Sequence, residues 1–344
     1  MTATAPEPPL VRRLLFWVVV VLLVAGFAVD LSNVTSTIAM PEAGGVGWLF
    51  VVLQTAISLV VIALADPLRR QRVVMAVLAF LWGGFAAADF VGYANDSLGS
   101  FLTKAGLDSL GAALSAPLNE EVFKLLGVLA LLSLTLPRRL TVMDGFALGF
   151  LVGAGFDVLE NIYYALGAAA DVEGSAAEQA AAAMASSVDR LTQGFALHAL
   201  WTSLAGAGLA FALSRTTARS GAVRRWLAAV ALLVAAMLLH ALWDLPPLTA
   251  DGLASALFVD VLYLVTVVAT AAAWWWALRS ELALLRADAL SVGLPAPASV
   301  AALWRPSSGR LARRAERDTR DRERSEWSRA REELTGFPEA GERY

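Results

Sequence analysis

Long apolar runs constrain this chain more than any other feature. A helix needs ~20 mostly apolar residues to cross a bilayer core. Scanning for such runs finds them at about 14–31, 48–65, 73–93, 117–136, 145–166, 191–213, 226–243 and 253–278. Because lipid offers the backbone no hydrogen bonds, runs of this length imply helices, not loops or open sheet edges. The expected fold class is therefore all-α, a polytopic membrane helix bundle of about eight transmembrane helices. Composition agrees: 58% of the 344 residues are hydrophobic and 17% charged, against ~45–50% and ~25% in soluble domains. No convincing small-residue cleavage site follows the first run, so it reads as a retained span and not a signal peptide.

Charge patterning sets the expected orientation. Arg12 and Arg13, then Arg69, Arg70 and Arg72, then Arg138 and Arg139, then Arg215, Arg219, Arg224 and Arg225, and finally Arg279 and Arg286 fall at alternate connections. The intervening connections hold Asp30, Glu42, Asp96, Asp108, Asp171, Glu173, Glu178 and Asp251, with only Lys104 and Arg190 as cations. By the positive-inside rule both termini are cytoplasmic and the acidic loops face outward. This gives a cytoplasmic N-terminus at 1–13, a membrane-embedded region at 14–278, and a cytoplasmic Arg/Glu-rich tail at 279–344. A linker with Gly293, Pro295 and Pro297 precedes the tail, and pairs such as Glu316 and Arg320 suit a solvated helix. The segment 101–116 either lies in the interface or extends the fourth helix outward, and Pro117, suited to a first helical turn, favours the interface. Asn95 is seen only as the start of a common Asn-x-Ser sequon.

Several chemistries are excluded at once. The chain has no cysteine, which removes disulfides, thiolate metal sites, iron–sulfur clusters and cysteine nucleophiles. A net charge of -3, with arginines scattered among acids, gives no surface for nucleic acid.

Ionisable side chains inside spans are costly and so point to function. They are Asp89, Glu120, Glu121, Lys124, Asp157, Glu160, His198, His240 and Asp260. With the orientation above, each falls in the outward half of its helix, which implies one polar pit open to the outside; Asp89 and Asp260 could equally snorkel to an interface. Glu120 and Lys124, four apart, share a face, whereas Glu121 points ~100° away. One carboxylate is then expected to be held by the ammonium and the other left free. Two neighbouring carboxylates in a low dielectric do not both ionise easily, and such a pair suits general-base work. His240 and Asp244 are also four apart, so the acid can orient the imidazole. The tetrapeptide His-Ala-Leu-Trp occurs at His198–Trp201 and at His240–Trp243, around the only two histidines, and each Trp is expected beside its own His. Gly145, Gly149, Gly153, Gly155, Gly206 and Gly208 read as close helix packing.

These residues resemble the PrsW family of intramembrane proteases, and more widely the CAAX-processing and bacteriocin-processing membrane peptidases. Glu120-Glu121-x-x-Lys124 fits one element, and Gly155-Phe156-Asp157-Val158-Leu159-Glu160-Asn161 resembles a second. Arg190 with His198 and Gly206, and His240 to Asp244, look like a third and fourth. The resemblance covers roughly 112–245 and departs at Asp157, where many relatives carry a small residue. It implies an enzyme of a bacterial plasma membrane that cleaves a membrane-associated protein near the outer face, such as a single-pass anti-sigma factor. By carry-over, Glu120 and Glu121 are the catalytic pair, Lys124 supports them, and Glu160, Asn161, His198, His240 and Asp244 complete the site.

Two chemistries fit. In the metal-free one, taken as the working expectation, a Glu120/Glu121 carboxylate and His198 activate water while His240 and Asn161 donate to the oxyanion. In the other, His198, His240 and Glu160 bind Zn2+ and a paired carboxylate is the base. A transporter or a non-catalytic membrane scaffold is the competing class.

Overall fold

The computed structural model describes residues 10–68, 73–135, 140–214, 221–245, 252–291 and 293–335. Arg69, Arg70, Arg72, Arg138, Arg139, Arg215, Arg219 and Asp251 lie outside these, as do the side chains of Arg12, Glu316 and Arg320. Among the described residues the chain is helical throughout, with no strand. The helices are α1 (Leu14–Ala39), α2 (Pro41–Ala65), α3 (Val73–Leu81), α4 (Ala88–Lys104), α5 (Gly111–Thr135), α6 (Val142–Ala170), α7 (Ala176–Thr192), α8 (Leu197–Leu213), α9 (Ala222–Trp243), α10 (Leu253–Ser291) and α11 (Pro306–Thr335). A π-helical segment, Trp82–Ala87, joins α3 and α4 into one rod. The result is a polytopic helical membrane bundle.

Seven segments are long and apolar enough to cross a membrane. The expected fourth span is absent from that set although α5 is 25 residues long, because it carries Glu120, Glu121 and Lys124 on neighbouring turns. Three further boundaries differ from the sequence reading. The stretch 101–116 does not lie flat: α4 runs on to Lys104, and after a tight turn α5 starts at Gly111, leaving Pro117 buried inside the helix. Proline there gives up one backbone hydrogen bond and crowds the carbonyl four residues earlier, a cost of ~3 kcal/mol that the packing of the helix has to offset. The sixth apolar run is broken between Thr192 and Leu197, so α8 is a short helix of 17 residues and α7 a separate one, started by a Ser175–Glu178 capping box. Finally, α10 continues past 278 to Ser291. The Arg/Glu-rich helix α11 follows, with Arg314 and Asp318 paired at 4.0 Å. The tail is anchored before α11, where Leu303 is fully buried and Trp304 donates to the carbonyl of Leu64.

Helix α6 is the axis of the bundle: 94% of its apolar window is buried inside the protein, against 17% for α1. Its glycines allow α8 to approach backbone to backbone. A Cβ on Gly149 would stand 2.3 Å from the carbonyl oxygen of Thr202, and one on Gly153 only 2.2 Å from that of His198. Nothing larger than hydrogen fits at those points, and the small-residue reading of these glycines is correct. The arginine-bearing ends sit away from the ionisable cluster: Arg13 donates to the carbonyl of Leu134 near the end of α5, and Arg225 to that of Ser214 after α8.

Candidate active site

Alternating helix directions bring the N-terminal half of α5, the C-terminal half of α6, the start of α8 and the end of α9 to one level. Burial there is almost complete: Glu121 and Lys124 have no exposed surface, and Glu120, His198 and His240 are at most 4% exposed. Lys124 is the hub. Its Nζ lies 2.7 Å from Glu121 Oε1 and 3.4 Å from Glu120 Oε2, and donates over 2.8 Å to His198 Nδ1. The ammonium therefore clamps Glu121 most tightly, the reverse of the expectation from spacing. Positions three and four apart on a helix both reach a long side chain, so spacing alone does not choose between them. Glu120 is the freer carboxylate. Its Oε1 accepts from Asn95 Nδ2 at 3.2 Å, and its Oε2 lies 3.7 Å from both His198 Nδ1 and His240 Nε2.

Each histidine is held from two sides. His198 has Lys124 on Nδ1 and Glu160 Oε2 at 3.0 Å from Nε2. His240 has Glu121 Oε1 at 3.2 Å from Nδ1 and Asp244 Oδ2 at 3.2 Å from Nε2. The His240–Asp244 pair thus forms as the spacing predicts. Trp201 meets its own His198 edge-on at 5.2 Å but stacks on His240, with ring centroids 4.4 Å apart and planes 16° apart. Arg190, on α7, reaches down to Glu160 Oε2 and Asn161 Oδ1. Asn161 in turn donates to Gln54 Oε1 at 2.9 Å.

A cavity of 810 Å³ opens onto this cluster, lined by Glu120, Glu160, His198, His240 and Asp244 together with Asn95, Tyr164, Arg190 and Trp243. Glu121 and Lys124 lie behind it. Asn161, expected as an oxyanion donor, faces α2 and steadies Arg190 instead. Asp157 does not line the cavity either. Asp89 lies in a separate polar contact with Tyr163 and Asp30, and Asp260 is exposed on α10. Sequence reasoning missed Asn95, Gln54 and the inward reach of Arg190. The amides carry no charge to flag them, and Arg190 read as a loop cation.

The donor types also suit a metal. Glu120, His198 and His240 each offer one ligand atom, all within 4.8 Å of one another, and two imidazoles with a carboxylate leave a position open as catalytic zinc sites do. The carboxylate in this group is Glu120; Glu160 is engaged by Arg190 and by the far edge of His198.

The match with known proteins agrees with this geometry. A family model described as PrsW family intramembrane metalloprotease matches residues 71–274, more than half of the chain. The chain belongs to the PrsW family. The PrsW match extends on both sides of the motif region 112–245, taking in α3 and most of the membrane part of α10. No curated protein and no solved structure matches. Family membership makes this an intramembrane protease and an integral membrane protein acting on membrane-protein substrates.

Proposed function

We propose that the chain hydrolyses a peptide bond of a membrane protein in the cavity above Glu120, with Glu120 as proton acceptor for the attacking water. The observation that carries this is the division of labour within the acidic pair: Glu121 is clamped by Lys124 at 2.7 Å and shut away, while Glu120 lines the cavity between both histidines. Water attacks the scissile carbonyl carbon as Glu120 takes its proton. The oxyanion is stabilised by the Nε2–H of His240, which faces Glu120 and turns from Asp244 to the oxyanion as charge develops, while Glu121 keeps hold of Nδ1. Collapse breaks the C–N bond, and Glu120 returns the proton to the departing amine. His198, fixed by Lys124 and Glu160, stands on the other side of Glu120 and walls in the place of the water. Lys124 and Arg190 supply fixed positive charge that makes the burial of Glu120 and Glu121 and the partial burial of Glu160 tolerable.

The convergence of Glu120, His198 and His240 favours a second reading. A zinc ion held by those three residues would polarise the water and the carbonyl.

The orientation and substrate belong to the same proposal: both termini cytoplasmic, the cavity on the outer face, and a single-pass protein of anti-sigma-factor type as substrate. What supports the orientation is the alternation of arginine-rich and acidic connections. The test is cleavage of a single-pass reporter by the purified, detergent-solubilised protein, with Glu120→Gln as control and with 1,10-phenanthroline added. Glu120-dependent cleavage that survives chelation, in protein free of bound zinc, supports the metal-free path. Loss on chelation and recovery with zinc supports the metal path, and loss of bound zinc in His198→Asn and His240→Asn then assigns the ligands. Full activity of Glu120→Gln overturns both.

A further inference from the structure

Asp157 is a buried carboxylate beside the site that the chemistry above leaves unused. It sits on α6 one turn before Glu160, on the same face. Its two oxygens accept from the backbone of α8: Oδ1 from the N–H of His198 at 3.3 Å, and Oδ2 from the N–H of Ala199 at 3.1 Å. These are among the first N–H groups of that helix, which have no partner within it. The residue in the N-cap position, Ala196, has no side chain that could serve, and its backbone is left-handed at φ 59°. The cap of α8 is therefore lent by another helix, and a carboxylate there also meets the positive end of the helix dipole.

The same face of α6 grips His198 at two other points. Gly153 lets the His198 carbonyl lie against the α6 backbone, and Glu160 holds Nε2 of the ring. Carbonyl, N–H and imidazole of one residue are thus all fixed by a single helix. We propose that Asp157 is a positioning residue: it sets the backbone of His198, and through it the place of the imidazole against Glu120. A neutral small residue at 157 would leave two buried N–H groups unpaired and α8 free to shift along α6. The kinetic half of this inference rests on the peptidase reading; the geometric half does not.

The chain has only two histidines, which makes the test direct. Full-length protein labelled with 15N-histidine gives two imidazole and two histidine amide signals, assigned with His240→Asn. In Asp157→Asn and Asp157→Ala, the His198 amide and ring signals are expected to move, the His240 amide to stay in place, and the His240 ring, 5.0 Å from that of His198, to move less. On the single-pass reporter, kcat is expected to fall by about 10- to 100-fold in the alanine variant and less in the asparagine variant, with KM within about threefold. Unmoved His198 signals in folded Asp157→Ala overturn the proposal, as does equal movement of both histidines in step with a lowered melting temperature. Asp157→Asn, which keeps size and one acceptor, decides the matter if the alanine variant does not fold. If the wild type cleaves no reporter, the peptidase reading fails alone, and the histidine signals still decide the positioning role.

Discussion

The two His-Ala-Leu-Trp segments are the same four residues put to different use. The first opens α8 and the second closes α9, so the chain enters the cluster through one and leaves through the other. At His198 the ring is held by an ammonium and a glutamate, and the backbone by Asp157. At His240 two carboxylates hold the ring, and the aromatic partner is Trp201 from the other segment. Trp243 is half-buried at the cavity edge, near Gly194. Helix direction and position within the helix decide what a short motif does; the letters alone do not.

That contrast can be broken by substitution. The largest effect is expected at the element both segments share: Glu120→Gln should lower kcat/KM by about 10²–10⁴-fold, the range a positioned general base contributes, with melting temperature little changed. Next, the two halves should separate. Glu160→Gln should perturb His198 and Asp244→Asn should perturb His240, each costing about tenfold or more in kcat. In double-mutant cycles Asp244→Asn should be more strongly non-additive with His240→Asn, its direct partner, than with His198→Asn, which it meets only through His240; equal coupling to both would erase the distinction. A smaller, structural effect follows for the tryptophans. Trp201→Ala should cost ~3–5 kcal/mol of stability, as large buried side chains do, and Trp243→Ala less, read as the difference in detergent melting curves. Finally, a cysteine placed at Ala241, in the second segment beside His240, should react with a membrane-impermeant thiol reagent only from outside; labelling from the cytoplasmic side alone would reverse the proposed orientation.

Much of this bundle was legible because a bilayer imposes a simple length rule, and most of the helices obey it. The places where reading failed share a cause. The break before Leu197 is hidden in an apolar run, since the residue from which α8 starts, Ala196, carries no capping side chain and the cap comes from α6. The charged cluster was legible as a set, because each member is expensive in lipid. Its internal pairing was not: Glu120 and Glu121 are both within reach of Lys124, and only packing against Thr202 and His240 decides which is clamped. Asn161 stood in the right motif but turns toward Gln54, a partner 107 positions away in sequence. Neutral amides such as Asn95 and Gln54 leave no trace in a charge map, yet they orient the charges that do.

The brevity of α8 has a consequence for water. Its 17 residues span ~25 Å at 1.5 Å per residue, short of the ~30 Å hydrocarbon thickness, and almost all of them are packed against other helices, so lipid does not make up the difference. The polar cavity beside His198, at the start of the helix, does so instead. A peptide bond brought to that depth meets polar side chains where a longer helix would have placed more apolar ones.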